Sequence, residues 1–124
     1  MFQTGLSTTV RGFTAKEGLS KYAPDGKLIT EIALGVGDGS VRFPTTWVIV
    51  PVWEELAEQA VEVIDKKGIC VEASGMLQIR MYEGKGGRAV AVELKNVRAL
   101  RIYDRDGELV KVLSGKESGI KTEV

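Results

Sequence analysis

The chain contains no histidine and a single cysteine, Cys70. Without histidine there is no Ser-His-Asp or Cys-His arrangement, no imidazole to ligate zinc, and little scope for general-base catalysis near neutral pH. One thiol cannot close an internal disulfide, and the opening Met1-Phe2-Gln3-Thr4 lacks the basic and apolar parts of a secretory leader. Both absences point to a reducing, intracellular compartment. Cys70 stands between Ile69 and Val71, where a buried thiol serving as a small hydrophobe is expected rather than a nucleophile. No apolar run approaches the twenty residues of a membrane-spanning helix, so no membrane partner is expected. Net charge is absent as well. The 17 basic residues are matched by 17 acidic ones, which on its face argues against a polyanionic partner.

What is present is enough chain for one hydrophobic core. With 124 residues and 44% hydrophobic content, a single domain over residues 1–113 is expected, followed by a polar tail over 114–124. Leu6 to Phe13 reads as a strand, ended by the polar Lys16-Glu17-Gly18. Lys27 to Leu34 alternates after the turn signal Pro24-Asp25-Gly26 and leads into the glycine-rich Gly35 to Ser40. Phe43 to Trp53 is a third strand, in which Pro51 implies an edge or a bulge. Glu54 to Lys67 predicts the only helix. Leu56, Ala57, Ala60, Val61 and Ile64 form its apolar stripe, acids fill its first turn, Lys66 and Lys67 its last, and Gly68 stands at its C-cap. Val71 to Met81 alternates again, a glycine-rich turn from Glu83 to Gly87 joins it to the strand from Arg88 onward, and Asp106-Gly107 turns the chain into Leu109 to Leu113. The expected class is therefore all-β: five to six strands with one helix between the third and fourth, the order of an oligonucleotide-binding (OB) Greek-key barrel.

Within the third strand Phe43, Trp47 and Trp53 share one parity, and residues of one parity share one face of a strand. Val48, Val50 and Val52 supply an apolar face on the other parity, which makes the aromatic face the outer one. Exposed rings in a row can stack nucleic-acid bases whatever their sequence. A tryptophan in an alternating strand can equally pack into a core or a subunit contact, and Ile49 and Pro51 on the same parity keep that alternative open. Charge is also unevenly spread. Glu54 to Asp65 carries five acids and no base, while Gly75 to Arg101 carries six bases (Arg80, Lys85, Arg88, Lys95, Arg98, Arg101) and two acids, Glu83 and Glu93. The pattern Gly84-x-Gly86-x-x-Ala89 fits a loose dinucleotide fingerprint, but an alternating strand follows it instead of a helix, so no helix N-terminus can hold a pyrophosphate. No Walker sequence is present, and Asp38, Asp104 and Asp106 read as turn formers. The expectation is a protein that is not an enzyme and has no catalytic residues, no metal and no cofactor.

Several short motifs fall in the order and spacing of one family. Gly12, Lys21-Tyr22, Pro24 and Gly26 are followed by Ile29, Ile32 and Leu34, then Thr45-x-Trp47, Leu56-Ala57, Lys67-Gly68 and Gly75-x-Leu77-x-x-Arg80-x-Tyr82. Over residues 6 to 103 the chain resembles the bacterial single-stranded DNA-binding proteins, and among them the short cyanobacterial and plastid members. The resemblance implies a cytoplasmic, nucleoid-associated protein, or a stromal one if plastid-encoded. It also implies single-stranded DNA as partner, with base stacking on Trp47, Trp53 and Tyr82 and phosphate contacts from Lys21, Lys66, Lys67 and Arg80. Phe43 on the aromatic parity, and Lys85 and Arg88 at the basic hairpin, complete the candidate site. Ile49, Gln78 and Met81 stand where the family is commonly basic and the loop after Leu34 is short, which implies fewer phosphate contacts. The chain stops at Lys121-Thr122-Glu123-Val124 without the family's acidic, apolar tail tip, so recruitment of repair proteins by such a tip is not expected. The alternative is an OB-fold accessory or assembly subunit whose aromatic face is a protein interface.

A small β domain has strand edges to satisfy, and pairing them between subunits buries apolar surface as well. A homo-oligomer is therefore expected, a tetramer by resemblance or else a dimer, with Phe2 to Val10 at the contact. Light scattering at micromolar concentration should return a multiple of the 13.5 kDa chain mass; a monomer would exclude it.

Overall fold

Alternation of apolar and polar residues builds most of this molecule. A computed structural model describes residues 5–37 and 45–115. The described elements are β1 (Leu6–Thr14), β2 (Leu19–Tyr22), β3 (Leu28–Val36), β4 (Thr46–Trp53), α1 (Glu54–Val63), β5 (Cys70–Gly84), β6 (Gly87–Lys95), β7 (Ala99–Tyr103) and β8 (Leu109–Ser114). The protein is thus mostly β-sheet with a single helix among the described residues, placed between the long strands β4 and β5.

Five of the strands close on themselves. β1 lies antiparallel to β5 from Leu6↔Leu77 to Phe13↔Cys70, and its last two residues turn onto β3 through Phe13↔Gly35 and Thr14↔Leu34. β3 pairs with β4 from Ile29↔Trp53 to Val36↔Thr46, β4 meets β6 in parallel at Ile49↔Glu93, and β6 returns antiparallel to β5. The circuit β1–β3–β4–β6–β5–β1 is a closed ring, with β2 added to β3 and with β7 and β8 continuing outward from β5. Among the described residues, two glycines permit the tightest approaches of backbone to backbone. A Cβ on Gly12 would lie 2.6 Å from the carbonyl oxygen of Gly35, and one on Gly75 would strike the carbonyl oxygen of Lys95. Pro51 pairs with Glu31 of β3 and lies just past the one residue pair that joins β4 to β6, a stretch where an absent N–H is tolerated.

Inside the ring lie Val10, Ile32, Leu34, Val48, Val50, Val52, Val71 and Leu94, and Leu56, Ala57, Ala60 and Ile64 of α1 join the same core. The helix starts without a loop. Trp53 ends β4 and caps α1 with extended backbone (φ −120°, ψ 148°), and Glu54 makes the corner at φ +56°. That left-handed conformation costs a non-glycine residue on the order of 1 kcal/mol or more, offset by docking the apolar stripe. Thr30, fully buried on β3, donates its hydroxyl to the carbonyl of Ala57 (2.9 Å). Its single proton is thereby used, so Ser20 of β2 donates to it in turn at 2.8 Å. One hydroxyl joins β2, β3 and the helix.

Several elements differ from what local periodicity predicts. The helix ends at Val63 rather than Lys67. Ile64 is buried and leaves the helical conformation (ψ 78°), and its carbonyl accepts from Gly18 N–H at 2.9 Å rather than from a further helical turn. Lys66 and Lys67 therefore sit in a linking segment that Thr14 pins. The Thr14 hydroxyl donates to the carbonyl of Lys66 and accepts from Ile69 N–H, both at 2.9 Å, and its carbonyl accepts from Gly68 N–H at 2.8 Å. β2 went unanticipated because all four of its residues are exposed and show no alternation. The strand expected from Arg88 onward is two strands, β6 and β7, separated at Asn96, whose φ is +60°. Ser114, assigned to the tail, belongs to β8, where its carbonyl accepts from Gln59 Nε2 at 2.8 Å.

Cys70 also differs from expectation. It is half-buried on the outer face, in register between Phe13 and Tyr103, rather than in the core. Burial pushes its thiol above the ordinary range, with the nearby Arg11 opposing, which leaves it a poor nucleophile.

Thr14→Val keeps the shape of the side chain while leaving the Lys66 carbonyl and the Ile69 amide without a partner. The expected cost is about 1 to 3 kcal/mol, read as a lower urea midpoint at unchanged m-value.

Candidate nucleic-acid interface

The valines at 48, 50 and 52 are drawn into the ring, and the opposite parity of β4 is thereby turned out. Trp47 is 54% exposed and Trp53 45%. The register carries this outer face across four further strands. Beside Trp53, Pro51, Ile49 and Trp47 stand Ile29, Glu31, Ala33 and Gly35 of β3; Lys21 of β2 is in register with Ile29. On the other side Ile49 is paired with Glu93 of β6, which faces Gln78 of β5, and the same parity continues through Ala91 opposite Arg80 and Ala89 opposite Tyr82. Trp47, Trp53, Lys21, Arg80 and Tyr82 therefore share one continuous face, with Tyr82, 52% exposed, out along the β5–β6 hairpin. Arg88 and Lys85 lie at the hairpin's end, exposed; Arg88 Nε is 3.9 Å from Glu83. Lys66 and Lys67 are exposed elsewhere, on the linking segment held by Thr14, one residue from Phe13. Phe43 lies outside the described residues.

Two features of this face arise from pairing between distant strands. Phe13, 60% exposed, opposes Gly35, which opposes Trp47. A Cβ on Gly35 would come within 2.8 Å of Trp47 Cζ3 and 3.1 Å of Cη2, so the six-membered edge of the indole reaches over the glycine, toward β1. The bare backbone of Gly35 seats that ring, and Phe13 extends the apolar row. The signal was present only as long-range pairing, which local periodicity does not carry.

The second feature is acidic. Glu31 and Glu93 stand among the cations. Lys21 Nζ is 3.3 Å from Glu31 Oε2, Arg80 Nη2 is 3.2 Å from Glu93 Oε2, and Lys95 Nζ is 3.7 Å from Glu93 Oε1. Each named cation of the central face is thus already paired. These partly exposed ion pairs are worth at most about 1 kcal/mol each, so they can be exchanged for phosphate without a large cost. A groove of about 460 Å³ runs between them, floored by Ile29 and walled by Trp53 and Pro51. Ile29 is buried yet stands outside the ring's core cluster, which identifies this as an apolar floor on the outer face.

A different outward surface lies where β1, β5 and β7 run side by side. Arg11 pairs with Glu72 at 3.3 Å and its guanidinium stands 4.3 Å from the ring centre of Tyr103, whose hydroxyl donates to Glu72 at 3.0 Å. Among the described residues no group of His, Cys, Asp and Glu is placed to hold a metal ion, and no helix is long and apolar enough to cross a membrane. Neither a scan against protein-family models nor a search of curated proteins returns a match to this chain.

Gly35→Ala should displace the indole without unfolding the ring, because the clashing atoms end a movable side chain. In a Trp53→Phe background, where Trp47 is the only indole, the emission maximum should move while stability changes by less than about 1 kcal/mol. An unmoved spectrum would show that Trp47 is not seated on Gly35.

Proposed function

We propose that this chain is a non-catalytic single-stranded nucleic-acid-binding protein of the OB-fold class, with single-stranded DNA as its ligand. The closed five-strand circuit, the parallel meeting of β4 and β6 and the position of α1 support the OB assignment. The observation that carries the function is the outer face of β4. Two tryptophans that a globular domain would ordinarily bury stand about half exposed, in line with Phe13 and Tyr82 and flanked by Lys21, Arg80 and Lys95. Stacking on such rings contributes about 1 to 3 kcal/mol per base and is tolerant of sequence. The cations supply a modest phosphate contribution, limited by the glutamates that share the face.

Those same glutamates favour a second reading, an accessory subunit whose aromatic face docks a protein, since carboxylates repel a phosphate backbone. The two readings differ in one measurement. On adding a mixed-sequence single strand, tryptophan fluorescence should be quenched, and the duplex of the same sequence should quench it far less. With about three to five phosphates neutralised, log affinity should fall against log salt with a slope of about −2 to −3.5. Trp53→Ala and Tyr82→Ala should each weaken binding by about 1 to 3 kcal/mol while stability changes by less than about 1 kcal/mol. A loss of about 3 to 5 kcal/mol in stability with no effect on binding would favour the interface reading.

A further inference from the structure

The carboxylates of Glu31 and Glu93, paired with cations of the same face, limit what a single strand can present to them. A single strand offers phosphate oxygens, which repel them, and a deoxyribose without a donor. The only hydrogen-bond donors left in DNA are the N–H groups on the base edges. A carboxylate accepts and never donates when ionised, and each of its oxygens keeps lone pairs beyond the one a cation occupies. Both glutamates border the groove that Trp53 walls and Ile29 floors. A base stacked on Trp53 would lie flat against one wall, with its edge toward the rim where Glu31 stands with Lys21, and Glu93 with Lys95 and Arg80. Glu93 is the better fixed of the two, its side chain 19% exposed with a cation on each oxygen.

The bases differ on that edge. Guanine presents two adjacent donors, N1–H and the N2 amino group, with the O6 acceptor beside them. A carboxylate can take the two donors together while a neighbouring ammonium donates to O6. Cytosine and adenine present one amino group next to an acceptor. Thymine presents a single N–H between two carbonyls, so a carboxylate oxygen that reaches it meets a like-charged neighbour on either side. Specificity of this kind comes as much from the repulsion of the wrong ligand as from attraction of the right one.

We infer that Glu31 and Glu93 make this face selective among bases, taking guanine first and the other amino-bearing bases next, and disfavouring thymine and uracil. The inference rests on the single-strand reading above and assigns a specificity to it.

Fluorescence anisotropy of labelled oligonucleotides on the full chain tests it, using dT12, dC12 and the repeat (dG-dT-dT)4, which avoids runs of guanine. The guanine repeat should bind about five- to a hundredfold tighter than dT12, the span that one bidentate base contact gives. In Glu31→Gln and Glu93→Gln the repulsion toward phosphate falls, so dT12 should bind tighter, and the ratio between the two strands should drop to within about twofold in at least one variant. Comparing ratios between variant and parent cancels any intrinsic difference in stacking between the strands, and thermal melts on the same samples establish that each variant is folded. Equal or tighter binding of dT12 by the parent chain overturns the inference, as does an unchanged ratio in both variants. If rU12 binds tighter than dT12 and loses that advantage in the variants, the carboxylates serve the ribose hydroxyl and the base assignment falls. Failure of every strand to bind removes the single-strand reading itself, whereas binding without discrimination removes only this inference.

Discussion

Closure of the ring by β1 is the constraint on which the rest depends. A strand that pairs with β5 along its length and then crosses to β3 must bend where the two partners diverge, and Gly12 makes that bend possible by letting the Gly35 carbonyl approach where a side chain would block it. Once the circuit is closed, inward and outward parities are set on all five strands at once. Val48, Val50 and Val52 go in with Ile32, Leu34 and Leu94, and Trp47, Trp53, Arg80 and Tyr82 have only the outer face left. The aromatic platform is thus a consequence of core formation on the neighbouring residues.

The same closure explains why the face has the chemistry it has. Register brings Lys21 to Ile29 across β2 and β3, and Glu93 to Ile49 across the parallel contact of β4 and β6. Residues as far apart in sequence as Glu31 and Glu93 come to border one groove. A face with two tryptophans, paired cations and two carboxylates differs from a simple basic track. Its affinity for a single strand would come from stacking first and charge second, and its glutamates would add discrimination at some cost in phosphate attraction.

Two hydroxyls hold the helix and its exit against this framework. Thr30 ties β2 and β3 to the Ala57 carbonyl, and Thr14 holds the segment that carries Lys66 and Lys67. The helix itself stops earlier, at Val63. Apolar spacing and the Lys-Lys-Gly ending argue for a helix to residue 67, yet Ile64 is better satisfied by burial and by the Gly18 amide than by a further turn. Tertiary partners outweighed local propensity there, as they commonly do at helix ends.

Much of this protein could be read from the chain alone. The β-rich class, the one helix of the described residues and its start after Trp53, the alternation of β3, β4 and β5 and the outward parity of Trp47 and Trp53 all follow from local periodicity, because a strand of period two with one apolar parity has only one way to bury it. What the sequence could not determine is everything that depends on pairing between distant segments. β2 is exposed and takes its place only because β3 offers an edge; Cys70, on the parity opposite Val71 and Ala73, is half covered only because Phe13 of β1 and Tyr103 of β7 flank it in register. Phe13 joins Trp47 through Gly35, and the two glutamates line one groove, because register is a property of two strands together and no single segment encodes it.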